Sequence, residues 1–143
     1  TREPAIGAAT LRVANSAAFG GLGRIEKLPA AVQRIGLKQV GAIVTALGLK
    51  GHFEHPSPEK RALLEVLWDH SVASAFAARA IARRVNANQE RAFLAGLLHD
   101  CGKVLVLKAV DKIEEVELGF AASKELLVEL MTDLHASLGH WLL

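Results

Sequence analysis

The most informative stretch of the chain is Gly96-Leu97-Leu98-His99-Asp100-Cys101-Gly102-Lys103, where an apolar helical run meets an imidazole, a carboxylate and an amine. Burying such groups costs several kcal/mol unless something pairs with them. Adjacent helical residues do not face each other, yet His99 and Asp100 can both reach one metal ion placed over that edge of the helix. A divalent metal needs more than two protein ligands. His70, in Trp68-Asp69-His70-Ser71 on the inner side of a long helix, is the candidate third. A His/His/Asp set with open positions suits Mn²⁺, Fe²⁺ or Zn²⁺ and leaves space for an activated water. On spacing alone a plainer reading stands beside this one. A histidine on an apolar face is commonly a core residue bonded to a backbone carbonyl, and Asp100 can cap or pair locally with Lys103, three residues on.

Other reactive residue types read as structural. Cys101 has no base at useful spacing and fits a buried small hydrophobe better than a nucleophile. Gly20-Gly21-Leu22-Gly23 follows no strand and precedes no Gly-Lys-Ser/Thr, so it is a turn and not a phosphate cradle. Asn15-Ser16 reads as a helix C-terminus held by local side-chain-to-backbone bonds. His52 and His55 flank a proline-rich turn as surface histidines, Trp68 and Trp141 read as core anchors, and His140 lies near the chain end.

Helical spacing positions all of these residues, whereas strict alternation is hard to find. A first helix carries Pro4 in its opening turn and runs toward Asn15-Ser16. Pro29 opens a short helix over Ala30 to Ile35, stopped by Gly36. Leu37, Val40, Ile43, Val44, Leu47 and Leu49 form the apolar stripe of the next. Ser57 can cap, and Pro58 begin, a long helix to about Val85. Its inner side carries Leu63, Leu64, Leu67, Trp68, Ser71, Ala75 and Ala78. Asn86-Ala87-Asn88 ends it, and Asn88 caps a helix from Arg91 to Lys108 in which Gly102 invites a kink or break. A short acidic helix over Asp111–Leu118 and a last one capped by Ser123 complete an all-α bundle of six or seven helices.

At 143 residues, 51% hydrophobic and 22% charged, the chain has the size and composition of one folded domain and not of a disordered polypeptide. The single cysteine excludes an internal disulfide and fits a reducing, intracellular setting. No apolar run approaches the ~20 residues of a membrane span, and no signal-peptide layout opens the chain. It begins with Thr, as a piece of something longer would. The net charge of +2 is unevenly spread. Residues 1–50 hold seven Lys/Arg against Glu3 and Glu26, and residues 101–143 hold four Lys against seven Asp/Glu. Two solvated faces explain this more simply than a nucleic-acid footprint does.

Five segments, in this order, resemble the HDOD domains (HD-related output domains). They are Leu11-Arg12-Val13-Ala14-Asn15-Ser16-Ala17-Ala18-Phe19-Gly20, Ala30-Ala31-Val32-Gln33-Arg34-Ile35-Gly36, Leu67-Trp68-Asp69-His70-Ser71, Ala92-Phe93-Leu94-Ala95-Gly96-Leu97-Leu98-His99-Asp100-Cys101-Gly102-Lys103, and His135-Ala136-Ser137-Leu138-Gly139-His140-Trp141-Leu142-Leu143. The resemblance implies a helical fold related to the HD metal-dependent phosphohydrolases, in which a His, a His-Asp pair and a distal Asp hold the metal. On it, His70 matches the first His, and His99 with Asp100 matches the pair. Lys103 matches a lysine that relatives acting on cyclic dinucleotides carry, where it would contact phosphate. His135 matches a recurring histidine and joins the metal candidates. The distal Asp has no clear counterpart; Asp133 is the nearest. The chain also starts where such domains normally have further N-terminal helices, and stops before the stretch where relatives place additional ligands.

HDOD domains look like degenerate members of the superfamily used for signalling. The expectation is therefore one HDOD domain over residues 1–143, bacterial and cytoplasmic in type, acting as a non-catalytic output or scaffolding module. It would work on a partner protein or a neighbouring signalling domain, with no membrane partner. The alternative is a metal-dependent phosphohydrolase acting on a nucleotide or cyclic dinucleotide, with His70, His99 and Asp100 on the metal and Lys103 stabilising charge. A third reading places nucleic acid on Arg12, Arg24, Lys27, Arg34 and Lys38, with a steep salt dependence as its signature.

Overall fold

The computed structural model describes residues 2–16, 19, 23–117 and 119–142. Among them are seven α-helices and no strand: α1 (Arg2–Ala14), α2 (Leu28–Ile35), α3 (Leu37–Leu49), α4 (Pro58–Arg84), α5 (Gln89–Leu98), α6 (Cys101–Val116) and α7 (Lys124–Leu142). A 3₁₀ turn covers Lys50–Phe53. The all-α class expected from the spacing is the class observed. No described helix is long and apolar enough to cross a membrane. Contacts group the helices into two units, residues 1–51 and 52–143.

In the first unit α1, α2 and α3 pack on one another. The stripe expected on α3 is buried only in part: Ile43 is in the core, and Val40, Leu47 and Leu49 are half-buried. Leu37 is 77% exposed and Val44 is exposed, whereas Gln39, Ala42, Ile43 and Ala46 are buried. These four recur at three- and four-residue steps, so the buried face centres on Ile43 and the small alanines, and Leu37 and Val44 fall outside it. Asn15 does more than close α1 locally. Its Nδ2 donates to Leu11 O and Ile25 O, and its Oδ1 accepts from Ile25 N at 2.8 Å, tying the helix end to the chain ten residues on. The turn expected over Gly20–Leu22 lies outside the described residues.

In the second unit α4 pairs with α5 and α6 with α7. Leu64 and Leu67 of α4 join Val104, Val106 and Leu107 of α6 and Met131 of α7 in one aliphatic core. Phe76 of α4 meets Phe93 of α5 edge-on, with centroids 5.4 Å apart. Pro58 opens α4 and Ser57 holds the N-cap position as expected, but the Ser57 side chain makes no capping bond. Its N–H instead donates to His55 Nδ1 at 3.0 Å. Asn86 takes the left-handed conformation at φ 55°, which asparagine tolerates. Asn88 Oδ1 then accepts from the N–H groups of Glu90 and Arg91, at 3.1 and 2.9 Å. Asn88→Ala should cost about 1 kcal/mol, read as a lower urea midpoint at unchanged slope. Leu126 N–H donates to Ser123 Oγ at 3.2 Å, the cap expected for the last helix.

The expected helix over Arg91–Lys108 and the separate acidic helix over Asp111–Leu118 are both corrected. The chain breaks at His99-Asp100, not at Gly102, and α6 runs on unbroken to Val116; Leu118 lies outside the described residues. Asp100 leaves helical geometry at φ −107°, ψ 10°. Beyond it, Val104, Leu107 and Val110 share one buried face that carries the helix through the acidic segment.

Candidate functional site

Two glycines decide how the helices around His99-Asp100 approach their neighbours. A Cβ on Gly96 would lie 2.7 Å from Ser74 O and 2.8 Å from Ala75 Cα, so α5 rests directly on the backbone of α4. A Cβ on Gly102 would lie 1.9 Å from His135 O and 2.9 Å from Gly139 N, so α6 rests directly on α7. The first contact brings His99 beside His70, and the second brings Asp100 beside His135. Gly102 is thus a site of close approach and not the kink expected from its type.

Around the break, His70 Nε2 and His99 Nε2 are 3.2 Å apart. Asp100 Oδ2 lies 3.5 Å from His99 Nε2 and 3.7 Å from His70 Nε2. Two ligands bound to one ion at about 2.0–2.2 Å sit roughly 3–3.5 Å from each other, close to these separations. His135 Nε2 approaches the other oxygen, Oδ1, at 3.7 Å. The burial is uneven. His70 is 56% exposed, on the outer edge of α4 rather than its inner side, and His99 is exposed too, whereas the Asp100 side chain is only 6% exposed.

Backbone bonds set the chemistry of two of the rings. His99 Nδ1 is 2.8 Å from Gly96 O and His135 Nδ1 is 2.8 Å from Thr132 O, and a carbonyl only accepts, so each Nδ1 carries the proton. In the neutral imidazole that leaves a lone pair on Nε2, turned toward Asp100, the arrangement that suits a metal ligand. The donor set of His70, His99 and Asp100 therefore fits a divalent ion such as Mn²⁺, Fe²⁺ or Zn²⁺, with His135 beside it. Among the described residues these three form the group of candidate ligands lying within 4.8 Å of one another; Asp133, the nearest candidate for a distal carboxylate, is not in it.

Lys103 is on the same carboxylate. Its Nζ lies 2.6 Å from Asp100 Oδ2, the oxygen that faces both His70 and His99. Burial would push the Asp100 carboxyl up, but the Lys103 hydrogen bond and charge, joined by the His99 and His135 rings when protonated, hold it below the usual carboxylate range. The local Asp100–Lys103 pairing and the metal-type cluster, alternatives on spacing alone, thus share one carboxylate. Burial pushes the neighbouring Cys101 thiol up, which suits a small apolar filler.

The remaining candidates separate. Arg34 donates to the backbone carbonyls of Ala14 and Gly23 at 3.1–3.3 Å, which ties up one of the five cations proposed for nucleic acid. His140 and His52 are exposed. His55, read as a surface residue, is instead half-buried, with Nε2 3.1 Å from Asp111 Oδ2. It belongs to a network that sequence reading missed. Lys60, buried at the start of α4, donates to Asp111 Oδ1 and Glu114 Oε2, and Glu114 Oε1 accepts from Ala122 N–H. The legible signal is Asp111 and Glu114 on one face of a helix at three-residue spacing; Lys60 and His55 are more than fifty residues away.

Compared with known families, residues 1–143 match the HDOD domain. No curated protein and no solved structure matches the chain. The match spans all five segments quoted above and the whole of the His70, His99, Asp100 and His135 cluster, and on it the chain belongs to the HDOD domain family.

Proposed function

We propose that this domain is a non-catalytic output module of signal transduction, cytoplasmic and bacterial in type, that passes a signal to a partner protein or neighbouring domain and keeps a degenerate HD-type metal pocket. The observation that carries this reading is the Lys103 ammonium, 2.6 Å from the Asp100 oxygen that His70 and His99 face. An internal cation on the central carboxylate weakens a site that must hold a metal for hydrolysis. Exposed aliphatics on the same unit, such as Val66 at 71% and Val116 at 77%, offer a partner apolar surface.

The second reading, a metal-dependent phosphohydrolase, draws on the separations of 3.2, 3.5 and 3.7 Å among His70, His99 and Asp100. Those three residues would hold the ion, the Gly96 and Thr132 carbonyls would keep His99 and His135 in the required tautomer, and Lys103 would turn from Asp100 to the phosphate. A bound divalent metal would supply Lewis acidity and an activated water.

Hydrolysis of a cyclic dinucleotide and of a p-nitrophenyl phosphodiester, in Mn²⁺, Fe²⁺ or Zn²⁺, separates the two. The expected result is product at the level of the protein-free blank, for wild type and Asp100→Asn alike, with both variants equally helical by circular dichroism. Turnover by the wild type that Asp100→Asn abolishes would establish the hydrolase.

A further inference from the structure

We infer that Lys103 is a built-in cation that competes with a divalent metal for Asp100, so that metal binding drives its ammonium off the carboxylate and into the groove between α4 and α7. This rests on the module reading and names how that module's pocket would be switched. Three acceptor groups converge here: the Nε2 lone pairs of His99 and His135 and the Asp100 carboxylate. The imidazoles stand 3.5–3.7 Å from the carboxylate oxygens, beyond hydrogen-bonding distance, while Lys103 stands at 2.6 Å. Lone pairs and a carboxylate turned toward one point are reconciled by positive charge, and the ammonium is the charge at hand.

A metal ligated by Asp100 Oδ2 would sit at about 2.0–2.2 Å from that oxygen, within a few ångströms of the ammonium on the same atom. In a part-buried site the repulsion between those charges is strong, so the two cations exclude each other. Lys103 has somewhere to go. Its flexible four-carbon stem borders a groove of about 280 Å³ lined by Leu67, His70, Val128 and Met131. Moving the amine from Asp100 to this groove leaves the α6 backbone in place. It also adds a positive charge beside an apolar surface that a partner can sense.

Calorimetric titration of the whole chain with Mn²⁺ and Zn²⁺ tests the competition, using wild type, Lys103→Met and Lys103→Arg. The Met variant should bind at least about tenfold more tightly, equivalent to ~1.4 kcal/mol, and the Arg variant, which keeps the charge, should bind no more tightly than wild type. Reductive methylation should modify wild-type Lys103 faster in saturating metal than without it. Equal affinities for wild type and the Met variant would overturn the inference. So would absence of binding by all three at millimolar metal, or Lys103 reactivity unmoved by metal. Circular dichroism of each variant excludes unfolding as the cause. Metal-dependent hydrolysis by the wild type would overturn the module reading and leave the competition result standing. Equal affinities without hydrolysis would remove the competition and leave the module.

Discussion

Gly102→Ala is expected to lower stability by about 3 kcal/mol, at the upper end for overpacking, and to pull His135 away from Asp100. The added methyl would stand 1.9 Å from the His135 carbonyl oxygen and 2.7 Å from its carbon. Both are backbone atoms of α7 and cannot rotate aside, so α6 and α7 must separate. Alanine's better helix propensity, about 1 kcal/mol over glycine, offsets only part of this. The midpoint of thermal unfolding should drop by roughly 10 °C for a domain of this size. A drop under about 2 °C would sink the close-approach account. The same variant should alter the imidazole NMR signals of His135 while those of His70 on α4 stay near their wild-type positions. A uniform shift of every histidine would point to general loosening instead.

Lys60→Met is expected to cost about 2 kcal/mol near neutral pH. Removing one member of a deeply buried ion pair costs about 3–5 kcal/mol; here the Asp111 and Glu114 side chains are each 23% exposed, and water softens the loss. Burial pulls the Lys60 amine down, but its hydrogen bonds to Asp111 and Glu114, with their charges, outweigh this and leave it raised. Burial pushes Asp111 up, and the bonds from Lys60 and His55 outweigh it, so that it lies below the ordinary carboxylate range. Glu114 is held low by Lys60 first and the Ala122 N–H second.

These directions fix the pH window. Carboxylates with depressed folded-state values contribute stability above about pH 4 and lose it as pH falls through those values. The raised Lys60 contributes below its ordinary value and loses it as pH rises through the folded one. The stability gap between wild type and Lys60→Met should therefore be widest between about pH 5 and 10 and narrow on both sides. Urea unfolding at pH 3 and pH 7 checks this. A gap that does not shrink at pH 3 would mean that Lys60 acts through packing of its stem and not through charge.

Much of the fold was legible because its signals are local. Asn88 announces the start of α5 by its type and place, and the structure puts its side chain on the Glu90 and Arg91 amides. Ser123 does the same for α7. The segment around His99-Asp100 stood out because polar groups at the end of an apolar run need an explanation, and its resemblance to HDOD domains agrees with the family match. Less legible were features that depend on which face a neighbour covers. The large aliphatics of α3 mark its stripe, yet of these Ile43 alone is fully buried, beside Ala42 and Ala46, while Leu37 and Val44 are exposed. The break at His99-Asp100 was misplaced at Gly102, since glycine's usual part as a helix breaker hid its part as a contact point.

By itself, then, the sequence determined an all-helical chain of the HDOD family, most of its helix starts, and the residue types able to gather around Asp100. Tertiary structure alone decided that His70 lies at an exposed edge, that Lys103 shares Asp100 with the histidines, and that Lys60 and His55 meet Asp111 and Glu114 across more than fifty residues. The physical reason is one of range. Caps and periodicity act within a turn or two of the chain, whereas the direction of a side chain toward another helix depends on how closely the two backbones approach. Here that approach depends on the absence of a single Cβ at Gly96 and at Gly102.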